Sequence, residues 1–257
     1  SSDGSTVSTE TLNQALSSGY GMGVFIQADN DIIVNGAINS SSASAQLELN
    51  AGNDIVLNQP WSLTGAGSSL RFTASRGDIV VNAALTWGNA ATLDLTAGEN
   101  ISINADMTGG ADNSQLYLRT GRSTWDGDGF NYAIKRDVSI SLAGNGLFYT
   151  ESGYNNPGAN KNFTLINSAS GFYSHVNSTN ITSPFALVDD INLSGYSNWY
   201  INNSLQTTFD GLGHTISNLN NTNGDAKGLF TAMSEFGQPF ISESIWTEAA
   251  LDIIARG

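Results

Sequence analysis

Leu47-Glu48-Leu49-Asn50-Ala51-Gly52-Asn53-Asp54-Ile55-Val56-Leu57-Asn58 is answered 23 residues later by Leu70-Arg71-Phe72-Thr73-Ala74-Ser75-Arg76-Gly77-Asp78-Ile79-Val80-Val81-Asn82. It returns again as Leu93-Asp94-Leu95-Thr96-Ala97-Gly98-Glu99-Asn100-Ile101-Ser102-Ile103-Asn104. Val24, Ile26 and Ala28 begin the same series, and Leu116, Leu118 and Thr120 end it. Residues two apart share one face of a strand, and a constant longer interval stacks that face on the next unit. Gly, Asn and Asp then supply a tight turn, because they tolerate positive φ or bond their own backbone. The β-branched run after the turn suits a second strand, with an inward set of Ile32/Val34, Ile55/Leu57, Ile79/Val81 and Ile101/Ile103. A unit this short cannot cover its own apolar face, so burial must come from the units above and below. The pattern predicts an all-β chain, a right-handed parallel β-helix (solenoid) rising about 4.8 Å per coil.

Working outward, residues 1–23 read as a lead-in or flank. Ser8 or Thr9 caps a short N-terminal helix with Leu12, Ala15 and Leu16 on its apolar side, Gly19 ends it, and it lies across the first coil or its flank. The β-helix is assigned to 24–233, of which 24–120 are regular coils, with Ser40 to Ala45 and Ala111 to Ser114 as inter-strand loops. Residues 121–162 form an aromatic-rich excursion holding Trp125, Phe130, Tyr132, Phe148, Tyr149 and Tyr154, although Val138 to Leu142 restores the alternation. A second repeat type fills 163–233, opening on Phe163-Thr164-Leu165-Ile166. Over 234–257, Ile245, Trp246, Ala249, Ala250, Ile253 and Ile254 fall on one side of a helical pattern. Two readings of that segment compete: a C-terminal helix capping the last coil, or a segment foreign to the repeats with a junction at Ser234-Glu235-Phe236.

Composition excludes several classes. Nine Lys plus Arg against 23 Asp plus Glu give a formal charge of −14, which opposes a nucleic-acid partner or an anionic membrane surface. With no cysteine, neither a disulfide framework nor a thiolate metal site can form. No run of about 20 apolar residues is present to span a membrane. The chain opens without a signal peptide, which fits a mature protein or an internal fragment.

From Ala186 the wording changes. Asp190-Ile191-Asn192-Leu193-Ser194-Gly195, Phe209-Asp210-Gly211-Leu212-Gly213-His214-Thr215-Ile216-Ser217-Asn218-Leu219 and Gly228-Leu229-Phe230 resemble the Gly-Leu-Phe-terminated repeats of large bacterial surface exoproteins. The earlier Leu-x-Leu-x-Ala-Gly-x-Asp-Ile units resemble filamentous-haemagglutinin-type repeats, and Thr11-Leu12-Asn13-Gln14-Ala15-Leu16 is similar to a lead-in found between them. Together these motifs cover 7–230. The resemblance implies two-partner secretion through an outer-membrane β-barrel transporter and a place outside the cell or on its surface. It also implies work as an adhesin, a haem-release protein or the stalk of a contact-dependent toxin. Residues 1–23 do not resemble the amino-terminal secretion domain of such proteins, which leaves the transporter-recognition step unplaced.

Side chains that carry chemistry are few. His214 sits inside the Gly-His-Thr-Ile motif, where a hydrogen-bonded structural role fits best, and His175 lies in a polar strand or loop. Neither Gly-x-Ser-x-Gly nor His-Glu-x-x-His occurs. Asp189-Asp190, the adjacent acidic pair, reads as turn chemistry, and the Asp31, Asp54 and Asp78 column with Asn100 next in line reads as turn-formers stacked along one edge. Trp125-Asp126-Gly127-Asp128-Gly129 looks like a calcium loop, but Phe130 stands where a third acidic ligand belongs. Neither a cofactor nor a metal is expected. Asn-x-Ser/Thr occurs at several positions, among them Asn39, Asn162, Asn177, Asn180, Asn202 and Asn220, mostly as expected by chance in a chain this rich in Asn and Ser.

The sequence reading is therefore a non-enzymatic adhesin fragment, secreted or displayed at the bacterial surface, whose β-helical shaft meets a protein or glycan receptor on host cells or other surfaces. Trp125, Tyr132 and Tyr154 are the candidate binding residues, because aromatic side chains outside a core either pin a loop or meet a partner. A polysaccharide-active β-helix enzyme is the alternative from another class, and a toxin stalk or haem-release exoprotein is the third.

Overall fold

The computed structural model describes residues 6–18, 23–123, 131–153, 160–177, 181–196, 204–205, 207–219 and 232–233. Gly19, Trp125 with its Asp126 to Gly129 loop, Tyr154, Trp199, Gly228-Leu229-Phe230 and the helical pattern of 234–257 lie outside the described residues.

A helix, α1 (Thr9–Ser17), precedes a stack of three-sided coils. The first coil is β1 (Val24–Ala28), β2 (Ile32–Val34) and β3 (Ile38–Ser40), and the second is β4 (Gln46–Ala51), β5 (Ile55–Leu57) and β6 (Trp61–Leu63). The third is β7 (Ser69–Ala74), β8 (Ile79–Val81) and β9 (Leu85–Trp87), and the fourth is β10 (Thr92–Ala97), β11 (Ile101–Ile103) and β12 (Met107–Gly109). The fifth is β13 (Gln115–Thr120), β14 (Tyr132–Ile134) and β15 (Ile140–Ser141), after which β16 (Leu147–Ser152) opens another turn. Then come β17 (Lys161–Ile166), α2 (Ala169–Val176), β18 (Phe185–Leu187), β19 (Ile191–Asn192), β20 (Ser204–Leu205), β21 (Phe209–Asp210), β22 (Ile216–Ser217) and β23 (Ala232–Met233). The chain is a parallel β-solenoid of about seven turns.

Stacking follows the 23-residue register. Leu47, Leu70, Leu93 and Leu116 are paired in sequence on parallel neighbours, and so are Leu49, Phe72, Leu95 and Leu118. All eight are at most 1% exposed, while Glu48, Arg71 and Asp94 between them face out. The second side carries the expected inward set: Ile55, Leu57, Ile79, Val81, Ile101 and Ile103 are buried on strands in register. A third side was not expected. Its strands put Ile38, Trp61, Leu85 and Met107 in one buried column, and Trp61 meets Phe72 edge to face at 5.2 Å. Ser40, placed in a loop by the sequence reading, is a buried residue of β3.

The turns bond to one another as well. Asp31 Oδ1 accepts from the Asp54 N–H at 3.1 Å, Asp54 Oδ1 from the Asp78 N–H at 2.9 Å, and Asp78 Oδ1 from the Asn100 N–H at 2.8 Å. Asn100 Oδ1 passes the series on to the Asn131 N–H at 3.1 Å. At the next corner Asn35, Asn58, Asn82 and Asn104 form an amide ladder, the Nδ2 of each of the last three donating to the Oδ1 one coil back at 2.9 Å. The Asp31-to-Asn100 series thus satisfies backbone N–H groups that a turn leaves unpaired, while the amide ladder pairs side chains with one another. The Asn53 amide and the Asp54 N–H hold the Asp31 carboxyl below the usual carboxylate range.

The expected excursion over 121–162 is largely another coil. Strands β14, β15 and β16 pair in parallel with β11, β12 and β13, and Phe148 takes the Leu116 column 32 residues on instead of 23. Extra length enters between β13 and β14, a corner where a loop lengthens without disturbing the ladder below. The parallel order then breaks. Strand β17 pairs antiparallel with β16, Phe148 facing Phe163 and Tyr149 facing Asn162, and β18 and β21 follow β17 in parallel. This reversal completes the nine-stranded sheet β1-β4-β7-β10-β13-β16-β17-β18-β21.

Both ends of the first stack are covered. Leu12 and Leu16 of α1 join the core, although Ala15, expected beside them, is exposed. Asn13 of α1 accepts the Asn39 N–H at 2.8 Å and donates to the Ala37 carbonyl at 3.3 Å, as a neighbouring strand would for β3. At the other end Phe163, Ala186, Val188 and Leu212 belong to the first core, whereas Phe185, Leu187, Ile191 and Ile216 belong to a second. Phe185, Ala186 and Leu187 are all buried because the sheet has a core on each face, as parallel strands require. Helix α2 seals the second core with Phe172 and Val176, one turn apart, and Ser168 caps it by accepting the Gly171 N–H. His175 is therefore helical, not in a strand or loop; its ring lies 4.6 Å from that of Phe185, and burial lowers its pKa.

Candidate functional site

Two places gather polar chemistry. One is a cleft of about 480 Å³ at the seam between the stacks, where Lys135, Arg136 and Asp137 of the corner after β14 face Asp189, Asp190 and His214. The Asp210-Gly211-Leu212-Gly213-His214 turn builds its floor. Asp210 follows Phe209 on β21 and is in register with buried Ala186, so alternation turns its carboxylate toward the first core. There it accepts the Tyr132 hydroxyl on one oxygen and the Leu212 N–H at 2.9 Å on the other. The Leu212 carbonyl accepts the Ile140 N–H at 2.9 Å, extending the third side of the solenoid across the seam. His214 Nε2 lies 2.9 Å from the Ile140 carbonyl, which can only accept, so Nε2 carries a proton. Its Nδ1 faces Asp190 Oδ1 at 3.5 Å.

Asp189 and Asp190 have turn duties. Asp189 Oδ1 accepts the Asp190 N–H at 2.8 Å, and Asp190 Oδ1 accepts the Thr215 N–H at 2.9 Å. Asn192 accepts from the Asn218 amide at 3.0 Å, so the second stack repeats both ladders of the first. Among the described residues no group of three or more His, Cys, Asp or Glu is arranged to hold a metal ion. Tyr132, expected to face a partner, instead spends its hydroxyl on Asp210 and sets its ring edge-on to Phe148 at 6.2 Å. It pins the corner to the seam; Trp125 and Tyr154 lie outside the described residues.

Burial holds the Asp210 carboxyl above the ordinary carboxylate range, against the lowering pull of the Tyr132 hydroxyl and the Leu212 N–H. Burial, then the nearby Asp210 charge, raises the Tyr132 phenol, which keeps its proton and donates it. Between about pH 4 and the raised folded pKa the folded chain retains a proton that the unfolded chain has released, so Asp210 subtracts stability as pH climbs through that window. Asp210→Asn keeps an acceptor for Leu212 and removes the buried charge. It should melt at a higher temperature than the parent near neutral pH, with the gain shrinking toward about pH 4. A variant that melts lower at neutral pH would show that the Tyr132 bond needs the carboxylate.

The second place is the outward face of the long sheet. Tyr117 on β13 and Tyr149 on β16 are register partners with ring centroids 5.7 Å apart. The Arg119 guanidinium lies 4.8 Å from the Tyr117 ring centre and 5.9 Å from that of Tyr149, and pairs with Asp94 on one side and Glu151 on the other. Arg122 also reaches Glu151, at 2.6 Å. The Tyr117 hydroxyl donates to the Gln115 amide oxygen at 3.1 Å. Burial, then the Glu151 charge, raises the Tyr149 phenol. Sequence reasoning grouped Tyr149 with the excursion and passed over Tyr117. The signal was present in the repeat, since both occupy the outward column of Glu48, Arg71 and Asp94.

No protein-family profile, curated protein or solved structure matches the chain.

Proposed function

We propose that this chain is a shaft segment of a bacterial exoprotein, exported or displayed outside the cell, that presents an adhesive surface to host cells or other surfaces. The supporting observation is the solenoid itself. Backbone pairing, the apolar columns and the Asp31-to-Asn100 series run from the first coil to the fifth, the amide ladder runs from the first to the fourth, and both ends of that stack are covered. Such a stack resists bending and offers long, regular flanks, which suits a part that carries or constitutes a contact surface. The repeat wording from Thr11 to Phe230, similar to that of surface exoproteins, supports export through an outer-membrane partner. Beads coated with the purified chain should attach to cultured epithelial cells more than beads coated with albumin, and equal attachment would overturn the adhesive reading.

A second reading has one observation in its favour: Lys135, Arg136, Asp189, Asp190 and His214 do converge on one cleft. A polysaccharide-active enzyme places carboxyls and bases in such a groove. Release of reducing ends or unsaturated products that disappears in Asp189→Asn or Asp190→Asn would establish it over the shaft.

A further inference from the structure

We propose that Tyr117, Tyr149 and Arg119 form a binding platform for uncharged oligosaccharide chains on the outward face of the long sheet. The inference rests on the adhesive reading and gives it a location and a ligand class. Along that face the first coil presents a lone exposed aromatic, Phe25, with Gln27, and the outward positions of the next three coils hold Glu48, Asn50, Arg71, Thr73, Asp94 and Thr96. The aromatic pair appears where the column reaches β13 and β16, and exposed Asn162 on β17 continues it beyond Tyr149.

Three features select the ligand. The rings are held before any partner arrives, because Arg119 is fixed between the two tyrosines by acidic groups at both ends and Tyr117 is tied to Gln115. A platform fixed in advance loses little freedom on binding. Among the described residues the charges cancel locally: Arg119 and Arg122 balance Asp94 and Glu151 in a chain of net charge −14. The patch therefore offers neither the cationic field that a polyanion needs nor a free acid for a cation. Finally, the two rings stand on the outward face of the sheet with the polar side chains of Gln115, Arg119, Asp94 and Glu151 beside them. A protein partner would need roughly 1,000 Å² with an apolar, charge-depleted centre. The apolar face of a sugar ring needs only one aromatic ring to lie on, with amides and guanidinium groups beside it for the hydroxyls.

The test is affinity electrophoresis of the whole chain through gels containing galactomannan, laminarin or soluble hydroxyethyl cellulose, with heparin as a polyanion and fibronectin-coated wells as a protein probe. Retardation by at least one neutral polysaccharide is expected, with binding about tenfold weaker in Tyr117→Ala and in Tyr149→Ala. Tyr149→Phe should retain it, and melting temperatures should match the parent. Arg119→Gln should also weaken binding, by releasing the rings. No retardation by any of the three neutral polysaccharides, retardation that persists in the Tyr117→Ala/Tyr149→Ala double variant, or binding to heparin or fibronectin alone would overturn the platform. Bead attachment to cells, measured in parallel, separates the two ideas: attachment that survives the double variant sinks the platform and leaves the adhesive reading standing.

Discussion

Leu95→Asp should unfold the first stack at ordinary temperatures. Leu95 is fully buried at the middle of the ladder, with Phe72 on one side and Leu118 on the other. An aspartate there loses the apolar contacts of both neighbours and places a charge where no partner stands, a combination costing more than about 4 kcal/mol. Since each coil is covered only by the coils beside it, the loss spreads up and down the stack. Loss of the β-sheet signal in circular dichroism at 25 °C is the expected readout, while Leu95→Met, which conserves volume, should cost less than about 1.5 kcal/mol. A soluble, cooperatively melting Leu95→Asp protein would mean that the column is not closed.

Gly213→Ala should release the second stack from the first. Gly213 has φ +82°, and a Cβ added there would stand 1.9 Å from the Val138 carbonyl oxygen, a backbone atom that cannot swing aside. Its neighbours make the seam bonds, Leu212 O with the Ile140 N–H and His214 Nε2 with the Ile140 carbonyl. The backbone penalty and the loss of these bonds together come to about 3 kcal/mol. Amide exchange should accelerate over 160–219 and at β15 while 24–97 stay protected. Uniform acceleration along the chain, or none, would contradict a seam held at this turn.

The stacking columns were legible in the sequence because two periods reinforce one another, two residues within a strand and 23 between coils. The turn-forming role of Asp31, Asp54 and Asp78 was legible for the same reason. The third side escaped because its inward positions are filled as differently as Ile38/Ser40 and Trp61/Leu63, whereas the equally short strands of the second side repeat Ile, Val and Leu from coil to coil. Helix α2 escaped because Ser168-Ala169-Ser170-Gly171 reads as loop and only Phe172 and Val176 carry the helical spacing. The antiparallel step at Phe163 left no trace, since alternation is identical in either strand direction. The seam joins Tyr132 to Asp210 across 78 residues, a contact that no local spacing rule encodes. The phenol looked like a free aromatic until its acceptor was in place.

The three-sided coil also fixes how the chain converts residues into length. One coil of 23 residues advances the stack by a single strand spacing, about 4.8 Å or roughly 0.2 Å per residue, against 1.5 Å per residue for an α-helix. Reach alone is therefore better served by a helix. The material here goes into girth, and a wide, hydrogen-bonded cross-section gives a girder's stiffness rather than a tether's span. Lengthening such a girder calls for adding a coil between β4 and β12, where every coil already pairs in one register with both neighbours and neither covered end is touched.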